Sequence, residues 1–162
     1  RTALLEARWL AGDSGLYAEF EQRYDRDVVQ GTAAQFVAEK LSEREKRVNR
    51  AGASRYLVEP NIKEGKGGLR DLNTLFWIAQ YMHPTDAPSE IVKLDEFTAA
   101  ELKTFNRAFD FYWAVRAHLH FATGRPEERL SFDLQPEIAA RMGYRDYTIV
   151  RDIFEKKRPG ES

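Results

Sequence analysis

Apolar positions along this chain recur mostly every three or four residues, so it reads as a succession of amphipathic helices. The clearest lies over 69–82, where Leu69, Leu72, Leu75, Phe76, Ile78, Ala79 and Met82 trace one face. The longest lies over 99–123, with Leu102, Phe105, Phe109, Tyr112, Val115 and Leu119 as its stripe. Thr98 and Glu101 have the spacing of a capping box at its start, and Gly124 stops it. Residues 2–10 read as a helix carrying Leu4, Leu5, Arg8 and Trp9, closed by Gly12. Asp13-Ser14 caps the next, over 16–24, with Leu16, Phe20 and Tyr24 four apart. Gln30-Gly31-Thr32 then breaks and restarts the chain.

Residues 33–49 read as a long charged helix with a narrow inner stripe of Phe36, Val37, Lys40, Leu41, Arg44 and Val48. Glu39, Glu43, Arg44, Glu45, Lys46 and Arg47 are placed on its outer, solvated face. Arg55-Tyr56-Leu57-Val58 is a short β-capable run. His83-Pro84-Thr85-Asp86-Ala87-Pro88 is a turn-rich connector. Leu130 and Phe132 are expected to plug the core from a polar connector over 125–133. Pro136 suits the first turn of a helix reaching Met142, and 147–157 reads as a last helix. The sum is a mostly α fold, an antiparallel helical bundle with a short extended segment near residues 55–58.

Composition agrees with that picture. The chain has 162 residues, 43% hydrophobic and 31% charged, enough for a real core under a heavily charged surface. The net charge of −1 gives no global attraction to nucleic acid or membrane. No cysteine is present, which removes disulfides and thiolate metal sites and is compatible with a cytoplasmic setting. No apolar run approaches the length of a membrane span. The chain opens at Arg1 within an apparent helix, with no initiator Met, and so reads as a piece of a longer protein.

Candidate chemistry gathers in Glu59-Pro60-Asn61-Ile62-Lys63-Glu64-Gly65-Lys66-Gly67-Gly68-Leu69-Arg70-Asp71-Leu72. Three glycines in four positions free the backbone for unusual dihedrals and close approach. The run then enters a helix N-terminus, where free N–H groups and the positive end of the dipole suit an anion. Lys63, Lys66 and Arg70 add full charges beside it. The pattern is that of a phosphate or carboxylate cradle, and equally of a plain glycine-rich turn before a helix. It is not a Walker loop, since GxxxxGK[ST] is absent. Farther on, Arg116 and His120 border the apolar face of the 99–123 segment, where a guanidinium needs a partner or a polar cleft.

The same run resembles the signature of the bifunctional PII uridylyltransferase/uridylyl-removing enzymes of bacterial nitrogen regulation. Supporting blocks, in the same order as in that family, are Leu4-Leu5-Glu6-Ala7-Arg8-Trp9-Leu10-Ala11-Gly12-Asp13, Val115-Arg116-Ala117-His118-Leu119-His120 with Gly124-Arg125, and Leu130-Ser131-Phe132-Asp133-Leu134-Gln135 followed by Gly143-Tyr144. The adenylyltransferases of glutamine synthetase have a similar glycine-rich run. The Glu-Pro before Asn61 and the Leu after Gly68 look more like the PII enzymes.

The resemblance implies a parent enzyme that moves UMP from UTP to a tyrosine of the PII signal protein, with Mg²⁺ held by carboxylates of a nucleotidyltransferase core. None of that carboxylate motif is in this chain, so no catalytic or metal-ligating residue is expected here. Uridylyl removal and glutamine sensing are expected in further domains. Residues 1–30 are then expected to be the tail of the core and 31–162 a helical domain closing over the site. Lys63, Lys66, Gly67, Gly68 and Arg70 would hold the nucleotide's phosphates, through the N–H groups at the two glycines. Asp71 would orient Arg70 or a substrate group, and Asn61 and Arg8 are further candidates. Arg116 and His120 either line the same cleft or satisfy neighbouring groups. The other readings are a module that docks PII or relays the glutamine signal, with the charged 33–49 helix as its natural face, and a structural spacer.

Overall fold

The computed structural model describes residues 1–51, 58–83 and 97–144 of the protein. Its elements are α1 (Thr2–Leu5), α2 (Ser14–Tyr24), α3 (Ala33–Ala51), α4 (Leu69–Met82), α5 (Ala99–Thr123) and α6 (Leu134–Arg141). No strand forms among the described residues, and the fold is mostly α as the periodicity predicts. Arg55-Tyr56-Leu57, the 84–96 part of the connector and the 147–157 helix lie outside the described residues. Val58, at the end of the β-capable run, sits in an exposed bend.

Local chemistry sets most of the helix ends. Asp13 caps α2, its carboxylate accepting from the N–H groups of Gly15 and Leu16. At α5 the capping box is complete: the Thr98 hydroxyl accepts from the Glu101 N–H, and the Glu101 carboxylate accepts from the Thr98 N–H. Gly124 closes α5 in the left-handed region, at φ 65°. The first helix is shorter than predicted. It ends at Leu5, and the Ala7 carbonyl accepts from the Tyr17 hydroxyl at 2.8 Å. Trp9 and Leu10 are left exposed.

One element is absent from the sequence reading. α2 runs on into a turn of π-helix, Asp25–Val29, closed by the Gln30 N–H donating to the Asp25 carbonyl. The widened turn places Val29 in a buried cluster with Phe36 of α3 and Tyr81 of α4. Phe36 and Tyr81 stack with ring centroids 3.9 Å apart. The Tyr81 hydroxyl donates to the Val28 carbonyl and meets the Thr32 hydroxyl at 2.7 Å, so the buried phenol keeps its polar end satisfied. Leu5, Tyr24, Trp77 and Ile78 pack around this cluster.

A second cluster holds Ile62, Val115, Leu119 and Ile138, with Tyr112, Ala122, Leu130, Leu134 and Met142 against it. It joins α5 and α6 to the glycine-rich run through Ile62. Leu130 plugs this core as predicted, but Phe132 does not and is exposed. Its N–H instead donates to the Glu59 carboxylate at 3.0 Å, which turns the chain away from the cluster.

Candidate functional site: a charged loop at the start of α4

The 59–70 loop is folded largely on itself and on the 128–130 segment. Asn61 Oδ1 accepts from the N–H groups of Lys63 and Glu64, at 3.0 and 2.7 Å. The Ile62 N–H donates to the Glu128 carbonyl and the Leu130 N–H to the Pro60 carbonyl, pairing Asn61 with Arg129. The loop closes when the N–H groups of Leu69 and Arg70 donate back to the carbonyls of Ile62 and Lys63, both at 2.9 Å. Asn61 therefore shapes the loop through its side chain.

The glycines also serve this internal packing. A Cβ on Gly65 would stand 2.5 Å from the Asn61 carbonyl oxygen. One on Gly68 would meet three carbonyl oxygens at 2.8–3.1 Å. Of the three, Gly67 alone has a positive φ, 78°, and space around it. The N–H groups expected to face an anion are engaged: Gly67 donates to Asp71 Oδ2 at 2.8 Å and Gly68 to the Gly65 carbonyl at 2.9 Å. Loop closure has consumed the free donors that the helix N-terminus seemed to offer.

The side chains tell a different story. Asp71 does not orient Arg70. Its carboxylate is gripped by Arg47 and, at 3.2 Å, by Arg44. Arg47, assigned by its charged neighbours to a solvated face, is only 16% exposed and turned onto α4. Arg70 is paired with Glu64 at 3.3 Å, and both side chains keep about a third of their surface in water. Lys66 is exposed and makes no ion pair with a described residue.

On the other side of the loop stands Glu128, which the sequence reading missed. Arg116 binds it through Nε and Nη2 at 2.9–3.1 Å. Lys63 Nζ lies 3.5 Å and His120 Nε2 3.7 Å from the same Glu128 oxygen. Arg116 and His120 thus face Lys63 across one carboxylate. The only hint in the sequence was an acidic pair, Glu127-Glu128, one short connector beyond two basic residues on a helix.

Arg8 is not brought to this cluster. It is exposed, and lines a recess with Trp9, Tyr17, Phe76 and Gln80 toward the far end of α4. Gln80 is ten positions beyond Arg70, about 15 Å along the helix. Among the described residues no group of three or more His, Cys, Asp and Glu side chains could hold a metal ion. No helix among them is long and apolar enough to cross a membrane.

The described residues define a class: a helical module with two apolar clusters, one of which takes in Ile62 of a glycine-bearing, cation-rich loop. Comparison with known proteins makes that specific. The sequence pattern described as GlnD PII-uridylyltransferase matches residues 35–157, and the chain belongs to that family. It is 66% identical over 146 residues to a bifunctional uridylyltransferase/uridylyl-removing enzyme of Phenylobacterium zucineum, covering 90% of this chain and 16% of the relative. Identity to the enzyme of that name from Caulobacter vibrioides is 64% over the same shares. For one from Bradyrhizobium it is 61% over 153 residues, 94% of this chain and 16% of the relative. The chain therefore spans about a sixth of the length of these relatives. No solved structure matches.

Proposed function

We propose that this chain forms one wall of the nucleotide site of a uridylyltransferase that moves UMP from UTP to a tyrosine of the PII signal protein. One observation carries the reading: the surplus of side-chain cations at the loop. Lys63, Lys66, Arg70, Arg44, Arg47, Arg116 and Arg129 stand there against Glu59, Glu64, Asp71 and Glu128, in a chain whose net charge is −1. Among the cations of the loop itself, Lys66 is exposed and Arg70 keeps 35% of its side chain in water, against 31% for Lys63. Since the N–H groups of Gly67 and Gly68 are engaged, phosphate contact falls to these side chains, with Lys63 beside them. Gly67, Gly68, Asn61 and Asp71 act by fixing the loop that presents them.

In the proposed reaction the tyrosine oxygen displaces diphosphate from the α-phosphorus of UTP. Preorganised cations favour the charge that builds on the leaving phosphates. Mg²⁺ would neutralise the same phosphates from carboxylates outside this chain. Residues 1–30 would form the tail of the nucleotidyltransferase core and 31–162 the helical domain, with uridylyl removal and glutamine sensing in other parts of a cytoplasmic enzyme. The two parts share the Val29–Phe36–Tyr81 cluster, which would hold them in fixed register.

Arg70→Ala in the full-length protein tests the reading. Uridylyl transfer should fall tenfold or more, about 1.4 kcal/mol of transition-state stabilisation, while uridylyl removal persists. Unchanged transfer, or equal loss of both activities, would overturn it.

A further inference from the structure

We propose that Glu128 is a positioning residue, which holds Lys63 where the loop can present it to the phosphates of a bound nucleotide. The inference rests on the nucleotide-site reading above and extends it to a residue on a separate segment. Glu128 holds the loop twice. Its carbonyl accepts from the Ile62 N–H at 2.8 Å, and its carboxylate lies 3.5 Å from Lys63 Nζ. Arg116 holds that carboxylate in turn through both Nε and Nη2. The carboxylate is 16% exposed and Arg116 21%, so a fork on α5 fixes it, where Lys63 alone would leave it mobile. Lys63 is 31% exposed and has a long flexible stem. A fixed carboxylate beside its ammonium restricts that stem and lowers the entropy lost when the ammonium engages a ligand. His120 Nε2 faces the same oxygen at 3.7 Å and is buried without a hydrogen-bond partner.

At Glu128, positioning and simple electrostatics act with opposite signs on phosphate binding. Glu128→Gln removes a negative charge beside an anion site, and charge alone would tighten phosphate binding. Loss of positioning would weaken it. Glu128→Asp keeps the charge and withdraws the carboxylate by one methylene, so charge alone predicts no change.

The test is calorimetric titration of the full-length protein with inorganic tripolyphosphate, in wild type, Lys63→Ala, Arg70→Ala, Glu128→Gln, Glu128→Asp and the Lys63→Ala/Glu128→Asp double variant. Thermal unfolding of each variant is followed alongside. Both Glu128 variants should bind about threefold more weakly or worse. The double variant should bind no more weakly than Lys63→Ala alone, because Glu128 acts through Lys63. A merely structural Glu128 would lower the unfolding temperature and give additive losses. Tighter or unchanged binding in Glu128→Asp, or additive losses, overturns the inference while Lys63→Ala still weakens binding. If Lys63→Ala alone leaves binding unchanged, the role of Glu128 fails; if Arg70→Ala does so as well, the nucleotide-site reading fails with it. Should Glu128→Gln not fold, Glu128→Asp and the double variant decide alone.

Discussion

Replacing the loop glycines one at a time should separate two reasons for glycine that look identical in sequence. Gly67 sits at φ 78° with nothing within 4 Å of a prospective Cβ. Gly67→Ala therefore costs only the left-handed strain of an L-residue, about 1–2 kcal/mol, and Gly67→Asn costs less, because Asn tolerates that region better. Gly68 is the opposite case. Its φ of −77° suits any residue, but a Cβ would press on the carbonyl oxygens of Ile62, Gly65 and Lys63. Those oxygens accept from the N–H groups of Leu69, Gly68 and Arg70 respectively. Moving them apart weakens three hydrogen bonds of about 1 kcal/mol each, so Gly68→Ala should cost about 3 kcal/mol. The readout is local: amide hydrogen exchange, by mass spectrometry, of the peptide spanning 59–72. Exchange at Leu69 and Arg70 should quicken about tenfold in Gly67→Ala and more than about a hundredfold in Gly68→Ala. Equal effects, or a larger one at Gly67, would refute the claim that carbonyl crowding selects glycine at 68. The loop would then owe its glycines to something outside this chain, such as a ligand's approach.

Two further outcomes follow from the charged contacts and from the helix cap. Asp71→Asn keeps an acceptor for the Gly67 N–H but removes the charge between Arg44 and Arg47. It should destabilise by about 2 kcal/mol, seen as a lower denaturation midpoint, and a neutral result would mean the two arginines find water instead. At α5, Thr98→Ala should cost about 1 kcal/mol of helix stability. The Glu101 carboxyl is held below its ordinary range by the Thr98 N–H first and the Thr98 hydroxyl second. A depressed folded value means that its contribution is whole above the unfolded pKa and fades as pH falls through the folded one. Exchange protection at the start of α5 should therefore drop only below the ordinary glutamate range, and Glu101→Gln should remove that acid limb. A midpoint near neutrality would contradict the assignment.

Legibility from sequence followed the range of the interactions. The ends of α4 and α5 were readable because their determinants are local: a four-residue capping box, a stop glycine, an unbroken apolar period. Residues 2–10 kept a helical period yet broke after Leu5, because Tyr17, ten residues on, captures the Ala7 carbonyl. Periodicity has no access to such a competitor. The cation-rich loop was conspicuous in composition, but the fate of its N–H groups was not, since loop closure onto Ile62 and Lys63 is tertiary geometry. Arg47 was misplaced for the same reason: one flank of a charged helix resembles another until Asp71 is seen opposite. Glu128 sits in an irregular connector, where no period exists to mark it. The family resemblance supplied what propensity could not, an ordered set of blocks that ties α5 to the loop.

The π turn at Asp25–Val29 has a consequence for how insertions and deletions are tolerated. A π turn holds one residue more than the α turn it replaces, so it acts as a register spacer. Deleting a single residue there would tighten the backbone to ordinary pitch and rotate everything upstream by about 100°. Tyr24 would swing off the Phe36–Tyr81 stack, and the Val28 carbonyl, now shared by the hydroxyls of Thr32 and Tyr81, would turn away from both. Length changes should therefore be accepted in the exposed stretch around Ala11 and Gly12 and rejected within these five residues, although both lie within the same short span of chain.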